Sequence, residues 1–271
     1  MLISLIFGLF GLIVGSFLNV LILRHGKLYL GGRSQCTNCG KAIAAIDLIP
    51  VLSWLLLRGR CRMCGGRISI QYPLVEASTA ILFALVGAAP LPLMLQLFAL
   101  PIVSLLIAIA VYDLYHTIIP DLWVYVFSGL GLVASLSAVT ETYGYAEVFL
   151  GGPLTAAPLF ALWLFSGGRW MGLGDAKFAL GMGWLLGPWD GLVSLFLAFI
   201  LGALISVPLL FMSSPLWKKM GAPITPKSAS PRTHLAYTMK SEIPFGPFLI
   251  ASCLVVWFIQ IYGIPLPQFF A

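Results

Sequence analysis

The chain has 271 residues, of which 60% are hydrophobic and only 9% are charged. Its mean hydropathy of +1.02 excludes an ordinary soluble globule, in which roughly 45–50% of residues are apolar. Continuous apolar runs separate the charges, and a run of about 20 residues is long enough to cross a bilayer core about 30 Å thick. Because the runs are continuous and not alternating, we predict an all-α polytopic membrane protein.

The apolar runs predict about eight transmembrane helices. The first run, residues 1–23, has no basic residue before it and no small-residue cleavage site after it, which favours a membrane helix over a signal peptide. The other predicted spans are 73–89, 91–112, 122–139, 148–166, 176–189, 190–212 and 245–263. The spans 73–89 and 176–189 are short and would need tilt or local thinning of the bilayer.

The distribution of charge predicts the orientation. If eight helices alternate, all fifteen Lys and Arg residues fall on one face, and Glu141, Glu147 and Asp190 fall on the other. By the positive-inside rule the basic face is cytoplasmic, so both termini point outward. The net charge of +6 therefore reflects topology, and we expect no nucleic-acid partner.

The loop between the first two spans, residues 24–72, is predicted to be a small cytoplasmic zinc-ribbon-like domain. It carries two Cys-x2-Cys pairs, each followed by glycine: Cys36, Cys39, Cys61 and Cys64. This spacing is close to that of zinc ribbons, and four thiolate ligands leave no open coordination position, so the expected Zn²⁺ is structural. Reduced thiols on the cytoplasmic side disfavour disulfides, and the alternative is four cysteines without a metal.

The rest of the chain, residues 73–271, is predicted to form a seven-helix membrane core. Its loop at 213–244 is rich in Pro, Ser and Lys and lacks an apolar period, which predicts a flexible cytoplasmic connection.

Carboxylates at the cytoplasmic helix ends are the candidates for chemistry: Glu76, Asp113, Asp121 and Asp175. Asp113 closes one apolar run and Asp175 opens another, so both lie at similar depth on one face. Two such carboxylates can share a proton, one acting as base on water while the other donates to a scissile carbonyl.

A purely structural role is the alternative for each acid taken singly, because Asp is a common helix cap. Asp121 and Glu76 fit that role, and we favour it for Glu76. Asp113 fits it poorly, because the dipole at a helix C-terminus disfavours negative charge by about 0.3–1 kcal/mol. Gly172 and Gly174 would let a helix or substrate approach Asp175 closely, and would allow positive φ before the helix begins.

Several stretches, in this order, resemble the type IV prepilin peptidases (prepilin leader peptidase/N-methyltransferases), which are membrane aspartyl proteases of the GxGD class. Besides the cysteine pairs they are VGSFLNVLILR (14–24), QYPLVE (71–76), YDLYHTIIPD (112–121), GLGDAK (172–177) and IPFGPFLI (243–250). The Tyr-Asp and Gly-Leu-Gly-Asp stretches are also similar to presenilin-type proteases, but the cysteine loop favours the bacterial family.

The resemblance implies residue roles as well as a reaction. Asp113 and Asp175 correspond to the catalytic pair, Asp121 lies outside it, and the four cysteines correspond to the zinc loop. The implied enzyme sits in the bacterial inner membrane among its lipids, with its zinc loop and active site on the cytoplasmic side. It removes the basic leader of type IV prepilins or pseudopilins after a glycine, then methylates the new N-terminus with S-adenosylmethionine.

Other site assignments are left open by the sequence. The first turns of the last span hold Pro244, Phe245, Gly246 and Pro247, which fit either an extended-substrate site or an ordinary helix start. No glycine-rich fingerprint marks a site for S-adenosylmethionine. Glu76 is the alternative candidate for that activity. Competing functions are a transporter that relays protons and carries a regulatory zinc loop, and a non-enzymatic zinc-bearing scaffold.

Overall fold

The computed structural model describes residues 1–25, 32–137, 144–213 and 244–264. Within these ranges the α-helices are α1 (Leu2–Arg24), α2 (Leu52–Leu56), α3 (Gln71–Ala88), α4 (Leu93–His116), α5 (Asp121–Ser137), α6 (Tyr145–Ser166), α7 (Leu173–Leu186), α8 (Pro188–Ser213) and α9 (Gly246–Ile261). A 3-10 turn at Ala45–Leu48 precedes α2.

The prediction of an all-α membrane protein is confirmed. Five helices are long and apolar enough to cross a bilayer, namely α1, α3, α4, α6 and the Pro188–Pro208 part of α8. The shorter α5 and α9 are also apolar. With 14 residues, α7 is only about 21 Å long, less than a bilayer core. The count of eight spans therefore stays a prediction, and the predicted flexible loop at 213–244 lies almost wholly outside the described residues.

The helix boundaries agree with the predicted spans to within a few residues. The largest difference is at the end of α4, which continues to His116. α7 begins three residues earlier than predicted, at Leu173, because Gly172, in extended conformation, serves as its N-cap. Asp175 thus lies in the first turn of the helix. At the other end, Gly187 has φ of +85° and terminates α7, and Pro188 begins α8.

Glycines allow two pairs of helices to pack with their backbones in near contact. A Cβ added at Gly15 of α1 would lie 2.7 Å from the Cα of Glu76 in α3. A Cβ added at Gly151 of α6 would lie 2.6 Å from the carbonyl oxygen of Gly183 in α7. Small residues at such crossings are the usual device of membrane helices, where close van der Waals packing replaces the hydrophobic effect.

The arrangement of α4 and α7 determines where the site lies. Both helices pack against α5 and against α9, which therefore bridge them. α4 also packs against α1 and α3, and it is the most buried of the five long helices. The C-terminal end of α4 contacts the start of α9, and Ile119 contacts the starts of both α9 and α7, so these helix ends lie together at one end of the bundle.

Candidate functional site

Asp113 lies in the last turn of α4 and is 3% exposed. Gly246 is the first residue of α9, and its backbone N–H donates a hydrogen bond to Asp113 Oδ2 at 3.1 Å. The first amides of a helix have no partner within the helix, and the helix dipole is positive there. The carboxylate is thus at the unfavourable end of its own helix and at the favourable end of another, which compensates the expected cost.

Glycine is required at position 246 by this contact. A Cβ there would lie 2.5 Å from Asp113 Oδ2 and 3.3 Å from Ile119 Cδ1. Pro247 occupies the first turn of α9, where proline is common, which agrees with the helix-start interpretation. Phe245 packs against Phe199 of α8, with ring centroids 4.9 Å apart. The Pro-Phe-Gly-Pro stretch therefore starts α9 and holds Asp113 through a single amide.

Asp175 is the third residue of α7, and its carboxylate accepts a hydrogen bond from the backbone of Gly172, the N-cap. This is the carboxylate half of a capping box. The side chain is near enough to feel the charge of Asp113, since Ile119 contacts the helix start that holds Asp113 and also the first turn of α7. The structure therefore brings together the two acids that the sequence singled out, and gives one of them a capping role as well.

The glycines beside Asp175 differ partly from expectation. The predicted positive φ is wrong: Gly172 has φ of −72°, and positive values occur instead in the preceding turn, at Gly167 and Gly168. The expected close approach is present at Gly174, where a Cβ would lie 3.2 Å from Ile119 Cβ. Ile119 thus packs between the starts of α7 and α9, and it bounds the space beside the two carboxylates.

Asp121 begins α5 and forms an ion pair with Lys177 of α7, with Nζ to Oδ1 at 2.8 Å. The Lys177 ammonium also lies 5.7 Å from the ring centroid of Tyr125. This exposed pair joins the starts of α5 and α7, and no sequence pattern marks it.

The interpretation of Glu76 as a cap of its own helix is wrong. Glu76 is the sixth residue of α3, beyond the first turn, and it is buried. Its Oε2 accepts a hydrogen bond at 2.7 Å from the backbone N–H of Val51, the N-cap of α2 in the cysteine loop. Local sequence shows no sign of this contact, because it joins two segments 25 residues apart.

The four loop cysteines form a cluster. Their sulfur atoms all lie within 4.8 Å of one another, and Cys36 Sγ is 3.9 Å from Cys64 Sγ. A zinc ion bound tetrahedrally at about 2.3 Å would hold its sulfurs about 3.8 Å apart, so the cluster fits this metal. Four thiolates would hold the ion and leave no position for substrate.

The two cysteine pairs have the same backbone geometry. In each, the glycine after the pair has positive φ, +69° at Gly40 and +68° at Gly65. The N–H of each glycine donates to the carbonyl of the first cysteine of its pair, at 2.9 Å. Both turns therefore point their thiols inward, as zinc knuckles do, and the glycines are needed because other residues adopt this conformation only with strain.

Hydrogen bonds prepare part of the cluster for a cation. The backbone N–H of Gly66 and the side-chain amide of Asn38 lower the pKa of Cys64 to about 6. A hydrogen bond from the backbone of Lys41 also favours a lower pKa for Cys39. Burial and the neighbouring thiols outweigh this hydrogen bond, and they raise the pKa of Cys39 to about 11. A bound metal ion would displace the protons that remain.

These features define a helical membrane protein with two acidic side chains near each other at one end of its bundle and a four-thiol cluster on a loop. Residues 9–89 match the bacterial peptidase A24 N-terminal domain, and residues 100–207 match the type IV leader peptidase family. The chain belongs to the type IV leader peptidase family.

Individual relatives support this membership. The chain is 33% identical to a prepilin leader peptidase/N-methyltransferase of Pseudomonas putida, over 93% of this chain and 90% of the relative. It is 32% identical to a protein of the same name from Dichelobacter nodosus, over 97% and 93%. It is 36% identical to a type 4 prepilin-like proteins leader peptide-processing enzyme of Escherichia coli, over 68% and 76%. No solved structure matches the chain.

Proposed function

We propose that this protein is a membrane-embedded aspartyl endopeptidase that removes the basic leader of type IV prepilins or pseudopilins. The observation that carries the proposal is the pairing of Asp113 and Asp175, held by the first turns of α9 and α7 within the region that matches the peptidase family. The names of the relatives supply the substrate class and a second activity, N-methylation of the new N-terminus.

The proposed reaction uses the two carboxylates as a unit that shares one proton. The ionised member takes a proton from a water molecule, whose oxygen then attacks the scissile carbonyl carbon. The protonated member donates its proton to the carbonyl oxygen. When the intermediate collapses, the C–N bond breaks and the departing amine takes up the proton held by the first carboxylate. One hydroxyl of the intermediate returns its proton to the second carboxylate, which forms the product carboxyl group and restores the pair that shares one proton. The Gly246 amide keeps Asp113 facing the reacting atoms throughout.

The location of the pair suits such a substrate. A prepilin has a basic leader in water and an apolar helix in the bilayer, so its scissile bond lies at the membrane boundary, where the ends of α4 and α7 meet. The distribution of Lys and Arg supports a cytoplasmic active site and zinc loop in the bacterial inner membrane. Lipids of that membrane would surround the helices.

Two cofactors belong to the proposal. Zn²⁺ would be held by Cys36, Cys39, Cys61 and Cys64, and when bound it would stabilise the fold of the loop. S-adenosylmethionine would supply the methyl group, but neither of two crevices in the described residues fits it. One is lined by α1 and α3, the other by α1 and the loop, and serine is the one residue with a polar side chain in each lining: Ser4 and Ser16 respectively. Its ribose, carboxylate and amino groups need polar partners, so no step is routed through it.

The two competing functions have less support. A proton-relaying transporter would place its acids along a path near the middle of the bilayer, whereas Asp113 and Asp175 lie in the last and first turns of their helices. A non-enzymatic scaffold gives no reason for the contact between Gly246 and Asp113.

The proposal is tested with purified protein in detergent, a prepilin and S-adenosylmethionine, with products followed by intact-mass spectrometry. Asp113→Asn and Asp175→Asn should each abolish loss of the leader. Asp121→Asn, which removes an exposed ion pair, should retain it. The wild-type product should also gain the mass of one methyl group. Cleavage by both dyad variants would disprove the aspartyl mechanism.

A further inference from the structure

The cysteine loop carries an apolar surface that the peptidase function does not use. Between the two cysteine pairs, the 3-10 turn and α2 expose large apolar side chains: Ile46 (65% exposed), Leu52 (50%), Leu55 (58%) and Leu56 (74%). Loops in water seldom present so many neighbouring apolar side chains, and such patches usually mark a contact with another phase or molecule. We call residues 45–57 the apolar segment.

Part of the apolar segment faces α1 across an open crevice. Leu48 and Pro50 line a crevice of about 310 Å³ together with Ile13, Phe17 and Val20 of α1. Val20 and Ile13 precede the end of α1 at Arg24 by four and eleven residues, or about 6 and about 16 Å along the axis. The segment therefore lies beside the part of α1 whose Ile13 and Phe17 side chains point outward from the bundle.

A hydrogen bond to α3 places the apolar segment at a similar depth along the helices. The backbone N–H of Val51 donates to Glu76 Oε2. Glu76 lies five residues into α3 from Gln71, which corresponds to about 7–8 Å below the start of that helix. Since α1 and α3 are both long and apolar enough to span the bilayer, the middle of the apolar segment lies inside the membrane boundary on the loop side.

This depth explains why a buried carboxylate is present at position 76. Val51 has φ of +60°, outside helix and strand, so its N–H has no partner in regular structure. Non-helical backbone at membrane depth must have its polar groups satisfied by protein, because the hydrocarbon offers an unpaired N–H or C=O no hydrogen-bond partner. Glu76 supplies that acceptor, and the hydroxyl of Ser16 also donates to its carboxylate.

The basic residues that follow the apolar segment also fit a position at the membrane surface. Arg58 and Arg60 directly follow the apolar segment and are both exposed. Basic side chains at this level are attracted to the phosphates of anionic lipids. Arg62, next along the chain, is instead paired with Asp47 within the loop at 2.7 Å.

We propose that residues 45–57 form a re-entrant element that inserts into the leaflet on the loop side, with Leu52, Leu55 and Leu56 among the acyl chains. The element anchors the cysteine cluster at the membrane surface, next to the cytoplasmic ends of α1 and α3. The lipid bilayer is its partner. This inference rests on helix depth and exposure, and it stands independently of the proposed peptidase activity.

Photocrosslinking in lipid nanodiscs tests the proposal. The full chain is made with p-benzoylphenylalanine at Leu56 or, as control, at Lys41, an exposed residue of the first cysteine turn. Nanodiscs contain phosphatidylethanolamine and phosphatidylglycerol, and lipid adducts are measured by mass spectrometry after irradiation. Both positions are exposed, so the substitutions leave packing intact.

The expected result is about tenfold more lipid adduct at position 56 than at position 41, because acyl C–H bonds surround only an inserted side chain. Equal adduct yields at the two positions would overturn the proposal, since they would mean only collisional contact with lipid. Adducts at position 56 to a second copy of the chain in place of lipid would overturn it too, because a protein would then cover this surface.

Discussion

Replacing Gly246 by alanine should disable the enzyme while leaving the fold intact. The added Cβ would lie 2.5 Å from Asp113 Oδ2 and 3.1 Å from its Cγ. An ordinary carbon–oxygen contact is about 3.3 Å or longer, so the carboxylate or the start of α9 must move by about 0.8 Å. Ile119 leaves little room for that movement, because its Cδ1 would lie 3.3 Å from the same Cβ.

The size of the effect follows from two losses. The hydrogen bond from Gly246 N–H to a charged acceptor is worth about 1.5–3 kcal/mol, and a displacement near 1 Å at a reacting group can cost about 100-fold in rate. We therefore expect kcat to fall about 100-fold, equivalent to about 2.7 kcal/mol, with KM nearly unchanged, because the substrate-binding surface away from Asp113 is unaffected.

Cleavage of a purified prepilin, followed over time by gel or mass spectrometry, measures this effect. The matched control is Gly129→Ala on α5, where an added Cβ meets nothing within 4 Å. Both variants should keep the wild-type helical content and elution volume. If Gly246→Ala cleaves within about threefold of the wild-type rate, the Gly246 amide does not hold Asp113 during catalysis, and the assignment is wrong.

Other variants test the remaining contacts. Purified protein should contain one zinc ion per chain by elemental analysis; Cys64→Ser should lose most of it, whereas Cys253→Ser, in the buried core of α9, should keep it. Lys177→Ala should lower the free energy of unfolding by at most about 1 kcal/mol, because the ion pair of Lys177 with Asp121 is exposed. Exchanging the charges of the two residues should restore the lost stability. A larger loss would mean that Lys177 has a buried role. Glu76→Ala should destabilise the protein by about 1–3 kcal/mol in thermal or denaturant unfolding, because a loop N–H loses its acceptor. Glu76→Gln, which keeps an acceptor oxygen, should recover most of that stability, and equal losses in the two variants would show that charge, not the hydrogen bond, matters there.

Local sequence determined the class of the protein and the inventory of its reactive groups. Apolar runs of membrane length predicted the helices, because the thickness of the bilayer core determines how long an apolar helix must be to cross it. The Cys-x2-Cys-Gly pairs predicted a metal cluster, since two thiols and a turn glycine within five residues already form half of the site. Asp113 could be singled out because a carboxylate at a helix C-terminus conflicts with the dipole, a conflict visible without any tertiary contact.

Only the tertiary structure decided how that conflict is resolved and what the other acids do. Gly246 is 133 residues from Asp113, and the hydrogen bond between them depends on α9 packing against α4. The interpretation of Glu76 as a local cap is wrong because its partner lies in a separate loop, in a conformation that no sequence pattern marks. Contacts of this kind arise from the packing of helices and loops. The local sequence therefore predicts the helices, whereas the partners of each buried carboxylate depend on how the helices and loops pack together.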